Sequence, residues 1–408
     1  MQQLTDDFLK NLANEDYNVY FFVDLGSSNI KNIEKYLKGK TIFVLDHHQL
    51  AAKEPGTIIH INPLLFGIEG SKDISGAGVV FLFSKALDRK NEDMAHLAII
   101  GAIGDVQEER GFSGLNKEIL EIAVKNKKIK IEKNLRFFGI ITRPLHKILE
   151  YSSDPYIPGI SGSESNAIQF LQKLGIEPKT ENRWKTFNDL TEDEKKRLCS
   201  AIILERANEK NPEDVFGDVY LIAEEDTKLP TRDAKEFSTL LNACGRLDKA
   251  SLGIGVCLND KRLKEKAIKN LEDYKKEIVN AIKWFESNKD SRDVIEGENY
   301  LIINAKNNIL GTMIGTLASI LSKSYNMKDN MFIMSMARLD NKTTKISLRK
   351  TGRNKKEINL KEILNNITEK VGGETGGHIN AAGALISIEK EEEFINEAIN
   401  LFKNISLK

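Results

Sequence analysis

Three short apolar runs near the start of the chain, each cut off by a polar residue, constrain the fold most. They are VYFFVD (19–24), TIFVLD (41–46) and GTIIHIN (56–62). Each has the length of a strand and is rich in β-branched and aromatic residues, so each reads as a buried strand. Between the first two lies NIKNIEKYL (29–37), with Ile30, Ile33 and Leu37 at helical spacing. After the third come SGAGVVFLFSKAL (75–87) and EDMAHLAIIGAIG (92–104), both apolar enough for buried helices. Strands alternating with helices call for parallel pairing, because a parallel strand needs a crossover connection. The expectation over residues 1–160 is therefore an α/β domain, a doubly wound and mainly parallel sheet with helices on both faces.

The stretch 161–290 reads as a mostly helical insertion followed by a connecting helix. SGSESNAIQFLQKLGI (161–176) opens with Ser and Glu at capping-box spacing, and TEDEKKRLCSAIILERANEK (191–210) and TRDAKEFSTLLNACGRLD (231–248) are further helices. LGIGVCL (252–258) looks like a strand. In 262–287, Leu263, Ala267, Leu271, Tyr274, Ile278, Ile282 and Phe285 fall on one face of a long amphipathic helix. Residues 291–408 restart as a smaller α/β domain: a strand at 299–305, a helix at 310–325 and two strands in 331–349. A helix at 361–373 is closed by glycine, and the Gly-rich ETGGHINAAGALIS (374–387) leads into a strand.

Ionisable groups cluster where the early strands end. Asp24 follows the first, Asp46, His47 and His48 follow the second, and Asp105 closes the apolar helix in GAIGDVQEERG. In a doubly wound sheet ligands bind beyond the carboxyl ends of the strands. Two carboxylates and an imidazole brought together there suit Mn2+ or Mg2+ better than a thiophilic metal. A lone Asp at a strand end is ordinarily a cap or turn former, but three ionisable residues in a row after Ile-Phe-Val-Leu are not. His60, His96 and His146, each alone in its segment, read as structural or surface residues.

Charge narrows the function. Lys plus Arg and Asp plus Glu are 60 each, so nothing global draws the chain to a polyanion or membrane, and phosphate binding needs a local patch. SLRKTGRNKK (347–356) is such a patch; KNKKIKIEKNLR (125–136) is also basic and reads as surface. Three scattered cysteines, Cys199, Cys244 and Cys257, imply a reducing compartment and neither disulfides nor a zinc knuckle. No segment has the length of a membrane span, and the opening MQQLTDDFLKNLANEDY is polar and acidic, so the cytoplasm is expected.

Read together, VDLGSSN, LDHHQ and GAIGDVQEERG resemble the second, third and fourth motifs of the DHH phosphoesterase family, and GGETGGHINAAGA (372–384) resembles the glycine-histidine motif of its C-terminal associated domain. INPLLFGIEGSKDISGAGV and LLNACGRLDKASLGIG resemble the archaeal RecJ-like branch, which includes the nuclease that binds the replication factor GINS. The resemblance covers nearly the whole chain. It implies a two-metal Mn2+ or Mg2+ site in which Asp24 bridges the metals, His47 and Asp105 ligate the second, Asp46 orients the His47 ring and His48 faces the scissile phosphate. It further implies that Arg349 and Arg353 hold substrate phosphates, and that Gly376, Gly377, His378 and Asn380 form the loop that clamps the substrate's end. The implied activity is a single-strand-specific exonuclease in DNA repair or replication, with single-stranded nucleic acid as its partner.

The family's first motif, a cluster of acidic or His residues after an opening strand, has no counterpart here. In LTDDF, Thr5 caps a helix and Asp6 and Asp7 sit in its first turn. The expectation is a chain that starts after that motif or has lost half its metal site, with one metal held well and the other poorly. Two other readings stand beside the nuclease: a catalytically impaired scaffold binding GINS and the replicative helicase, and a phosphodiesterase for short oligoribonucleotides or cyclic dinucleotides.

Overall fold

The computed structural model describes residues 4–50, 56–108, 111–152, 155–209, 211–323, 327–340, 342–352 and 358–405. The chain forms two compact units, Met1–Asn242 and Ala243–Lys408.

The first unit begins with α1 (Asp6–Ala13), β1 (Val19–Val23), α2 (Ile30–Tyr36), β2 (Thr41–Leu45) and β3 (Ile58–Ile61), and continues with α3 (Gly76–Leu87), α4 (Ala95–Gly104) and α5 (Gly114–Lys125). Thr5 caps α1 by accepting a hydrogen bond from Phe8 N at 3.1 Å. The three strands pair in the order β1-β2-β3, all parallel, as the strand-helix alternation requires. On one face Tyr20, Phe22, Ile42, Val44 and Ile58 pack against Leu9 of α1, Ile30 and Ile33 of α2, and Leu37 just after it. On the other, Phe21 stacks on Phe43 at 4.6 Å, and Phe83 of α3 packs on both rings. VYFFV is thus buried on one face only: β1 is an edge strand, and Val19, Phe21 and Val23 stay half exposed.

β4 (Ile129–Leu135) and β5 (Phe216–Ile222) form an antiparallel pair, and between them run α6 (Leu145–Glu150), α7 (Glu164–Lys173) and α8 (Glu192–Glu205) around a core that includes Ile148, Phe170, Leu171 and Ile202. The cap of α7 is Ser163, which accepts from Asn166 N, and not Ser161, whose hydroxyl accepts from Ile157 N instead. The lysines of 125–136 behave as surface: Lys128, Lys130 and Lys133 pair with Glu224, Glu132 and Asp218.

α9 (Ala234–Arg246) leads into the second unit, followed by α10 (Ala250–Cys257) and α11 (Lys261–Ser287). The expected strand at 252–258 is therefore a helix. Its alternating glycines mimic strand periodicity, but Leu263 of α11 packs where a side chain on Gly255 would stand, so the glycine serves close helix packing. Then come β6 (Val294–Glu296), β7 (Tyr300–Asn304), α12 (Ile314–Lys323), β8 (Phe332–Arg338), β9 (Thr343–Lys350), α13 (Leu360–Val371), β10 (Glu374–His378), β11 (Ala381–Ser387) and α14 (Glu391–Asn404). Six strands pair in the order β10-β11-β9-β8-β7-β6. One face, with Met334, Ile346, Leu348 and Ala384, packs against Ile363 and Ile367 of α13 and Phe394 and Phe402 of α14. α12 lies on the other face, where Ser335 Oγ donates to Ile314 O at 3.0 Å. The glycines expected in a loop lie instead in β10, which turns at Ile379–Asn380 and pairs back on β11. A two-residue turn leaves no room for a longer loop.

Candidate metal centre

Sheet register brings the first site together. Val23 pairs with Leu45 and Leu45 with Ile61, so the next residues, Asp24, Asp46 and Asn62, stand side by side at the carboxyl edge. Asp24 N donates to Leu45 O at 2.9 Å and Asp46 N to Ile61 O at 3.1 Å, which extends the ladder to the site itself. Asp24 adopts φ 60°, in the left-handed region where Asp is tolerated but strained. Its Oδ1 lies against Gly76, the first residue of α3, where any Cβ would overlap it. A helix N-terminus favours a carboxylate, so a single glycine gives Asp24 both its room and its field.

His47 is buried. Its Nδ1 donates to Gly70 O at 2.6 Å, and Gly70 approaches so closely that a Cβ there would overlap the His47 carbonyl. A carbonyl only accepts, so Nδ1 carries a proton and Nε2 is the atom that can ligate. Nε2 stands 3.2 Å from Asp24 Oδ1 and 3.7 Å from Asp105 Oδ2. Asp105 closes α4, its N donating to Gly101 O, and its Oδ2 accepts from Gln107 Nε2 at 2.7 Å. Burial opposes charge on His47, but the Asp24 hydrogen bond, the Gly70 carbonyl and the Asp105 charge together raise it to about 9. Burial, with the Asp24 charge adding to it, pushes Asp105 above its usual range. The His47 shift reflects its two acidic neighbours and the Gly70 carbonyl, whereas that of Asp105 is chiefly burial.

Asp46 reaches the His48 ring rather than the His47 ring, contrary to the orienting role the resemblance implies. Its Oδ1 accepts from His48 Nδ1 at 2.6 Å and from the backbone N of His47 at 2.8 Å, and its Oδ2 accepts from Ser27 N at 2.9 Å. The His47 ring is turned to Gly70 instead. Full burial works against the Asp46 charge, yet the His48 ring and the Ser27 amide hold its carboxyl well below the usual range. Beneath it, Asn62 Nδ2 donates to Ser27 Oγ at 2.8 Å and to His48 O at 2.9 Å, and Ser27 Oγ bonds His60 Nε2 at 2.9 Å. His60 is thus structural, as its isolated place in the sequence implies.

The donors fit a hard divalent cation. Two carboxylate oxygens and one imidazole nitrogen suit Mn2+ or Mg2+, and separations of 3.2 and 3.7 Å compare with the edge of about 3.0 Å that bonds near 2.1 Å give in an octahedron. Asp24, His47 and His48 form a compact group of possible ligands among the described residues, and Asp105 stands outside that group; His48 Nδ1, 4.0 Å from Asp24 Oδ1, gives its proton to Asp46.

A second charged cluster lies within the second unit. Lys345, Ser347 and Arg349 alternate along β9 on the face opposite Ile346 and Leu348. Across the sheet Gly376, Gly383, Ser347 and Ser335 pair in one row, and His378 pairs with Ala381. Arg349 donates to Ser319 Oγ at 3.0 Å, Ser347 Oγ at 3.1 Å and Leu348 O at 2.8 Å. Gly377 takes φ 117°, open to glycine alone, and Asn380 is exposed in the turn. Arg353 lies outside the described residues. Two cations escape the sequence reading: Arg246, anchored on Thr312 O at 3.1 Å, and Lys345. Burial, reinforced by Arg246 and Arg349, pushes Lys345 down to about 8; burial, with Arg246, brings Arg349 down to about 10. The period-two pattern Lys345-Ser347-Arg349 is a signal for one of them; nothing local marks Arg246.

Comparison with known proteins bears on the family and the fold. The DHH-CID domain matches residues 137–216 and the DHHA1 domain residues 297–404. Over 402 residues, 97% of this chain and 84% of the relative, the sequence is 30% identical to an uncharacterized protein of Methanocaldococcus jannaschii. The fold resembles CDC45 from Entamoeba histolytica at TM-score 0.64 and 11% identity, covering 98% of this chain and 88% of that one. It resembles RecJ from Thermus thermophilus in complex with Mn2+ at TM-score 0.56 and 16% identity, covering 98% of this chain and 47% of that one, so this chain spans about half of that RecJ. A further RecJ structure, an exonuclease bound to manganese, matches at TM-score 0.52 and 16% identity over 98% of this chain and 79% of that one. At such identities the likeness establishes the fold. Among the described residues no helix is long and apolar enough to cross a membrane.

Proposed function

We propose that the chain, which belongs to the DHH family and has a RecJ-like fold, is a divalent-cation-dependent phosphodiesterase that releases nucleotides from single-stranded nucleic acid. The observation that carries this reading is the convergence of Asp24 Oδ1 and Asp105 Oδ2 on His47 Nε2. These three residues would hold Mn2+ or Mg2+. A bound cation supplies Lewis acidity toward a phosphoryl oxygen and makes water a better nucleophile.

The chain's own groups do the rest. Gly70 fixes which His47 nitrogen is available, and Gly76 sets where Asp24 can stand. Asp46 holds a proton on His48 Nδ1, so the ring keeps one orientation and faces a phosphate with its other edge. Arg349, with Lys345 and Arg246, would hold phosphates by charge-assisted hydrogen bonds, and Gly376, Gly377, His378 and Asn380 would receive the end of the strand. In this reading residues 1–160 carry the metal site, 161–290 insert and connect, and 291–408 bind substrate.

The test is release of mononucleotides from end-labelled single-stranded DNA and RNA in Mn2+, with duplex as comparison and Asp105→Ala as control. The reading expects release that needs Mn2+, prefers single strands and falls at least about 100-fold in the variant. Equal release by parent and variant would leave no case for catalysis. The fold shared with CDC45 then favours the second reading, a scaffold in replication that binds partners such as GINS and the replicative helicase.

A further inference from the structure

Gln107 lies two residues beyond Asp105 in the turn that closes α4, and its side chain is not needed for that turn. The backbone closes it: Val106 N donates to Ile103 O and Gln107 N to Ala102 O. The side chain is nonetheless buried. Its Nε2 donates to Asp105 Oδ2 at 2.7 Å and to Gly70 O at 3.1 Å. Its Oε1 accepts from Asn116 Nδ2 at 2.6 Å. A carboxylate and a carbonyl both only accept, so the amide cannot be turned over. The Gly70 carbonyl that takes one of its protons also takes the proton of His47 Nδ1.

One side chain therefore ties together two groups delivered by different elements, His47 from the end of β2 and Asp105 from the end of α4. Asn116 braces it from α5. Asn116 is fully buried and leaves its own Oδ1 unpartnered among the described residues. A purely structural position would favour an apolar residue there. Asn116 Nδ2 also reaches Lys72 O at 3.4 Å, and its shorter bond secures the direction of the Gln107 amide.

We propose that Gln107, braced by Asn116, is a positioning residue that sets the spacing and orientation of His47 and Asp105 for a divalent cation. The inference rests on the metal-site reading above. Neutral donation to Asp105 orients the carboxylate without neutralising it, and the shared carbonyl keeps the His47 lone pair facing the same point.

The test is Mn2+ binding, followed by electron paramagnetic resonance and calorimetry, in the parent, Gln107→Glu, Gln107→Leu and Asp105→Ala. Melting is measured without metal alongside. Gln107→Glu keeps the shape and loses both donors, while its added charge would by itself tighten cation binding. The expected result is affinity lowered about 10- to 100-fold in both Gln107 variants, with metal-free melting near the parent's in at least one. Binding within twofold of the parent in both, while Asp105→Ala loses it, overturns the inference and leaves the metal site standing. Affinity that falls only together with collapsed metal-free melting assigns Gln107 to the fold and also overturns it. A parent that binds no better than Asp105→Ala ends both readings.

Discussion

The two units solve opposite electrostatic problems. At the carboxyl edge of β1-β2-β3, Asp24 and Asp105 flank the His47 imidazole, which is drawn up to about 9. On the α12 face of the second unit, Arg246 and Arg349 crowd Lys345 and push it down to about 8. The first arrangement is short of positive charge and the second of negative charge. Neighbouring groups fix each arrangement. On the reading proposed above, the first would take a cation and the second a phosphate.

The comparison is broken most severely at Gly76. Gly76→Ala puts a methyl group where Asp24 Oδ1 lies, while an N-terminal helical position tolerates alanine. The expected outcome is Mn2+ affinity and nuclease activity lowered about 100-fold with little change in metal-free melting. Full activity would mean that Asp24 does not need its present place.

Next in size is the anion face. Arg349→Ala should weaken oligonucleotide binding about 10- to 100-fold, the loss expected for charged hydrogen bonds worth roughly 1.5–3 kcal/mol, and leave Mn2+ affinity unchanged. Lys345 adds a pH signature. Its folded value lies below the ordinary 10.5, so between pH 8 and 10.5 the unfolded chain binds more protons, and this group makes the fold more stable as pH rises across that window. A bound phosphate favours the charged lysine, so phosphate binding should take up a proton and weaken as pH rises above about 8. In Lys345→Arg that slope should vanish. A slope that survives the exchange assigns it to another group.

The smallest effect sharpens the contrast inside the second unit. Arg338, unlike Arg349 among the described residues, has a carboxylate: its Nε and Nη2 donate to Glu391 at 3.0 and 3.2 Å, and Thr344 and Asn304 also donate to it. Burial opposes the Glu391 charge, but these partners hold its carboxyl below the usual range. Stability from this group is present above its unfolded value and lost as pH falls below it. Glu391→Gln should lower melting by a few degrees, roughly 1–2 kcal/mol, and flatten the acid limb of the melting curve, with oligonucleotide affinity unchanged. An altered affinity would show that the two faces are coupled.

Much of the first unit is legible in the sequence because its signals are local. VYFFV, TIFVL and the polar residues that stop them mark strands and candidate ligands in one glance, and register then aligns Asp24 with Asp46. The helix at 250–257 is misread from sequence because Gly253 and Gly255 look like strand alternation until Leu263 is seen against Gly255. The ring that Asp46 holds is misassigned for a similar reason. Adjacent histidines are indistinguishable in a sequence, and only the approach of Gly70, a residue of another loop, decides which ring turns away. Arg246 and Gln107 lie inside quoted motifs, but their roles emerge only from their partners: Thr312 for Arg246, and Asp105, Gly70 and Asn116 for Gln107.

The most direct measurement is a crystal structure of the protein grown with Mn2+, with the ion located by its anomalous scattering. The account predicts a peak bonded to Asp24, to Nε2 of His47 and to Asp105, at distances of about 2.0–2.3 Å. An ion bound elsewhere, or none at saturating Mn2+ with those three side chains placed as described, would contradict it.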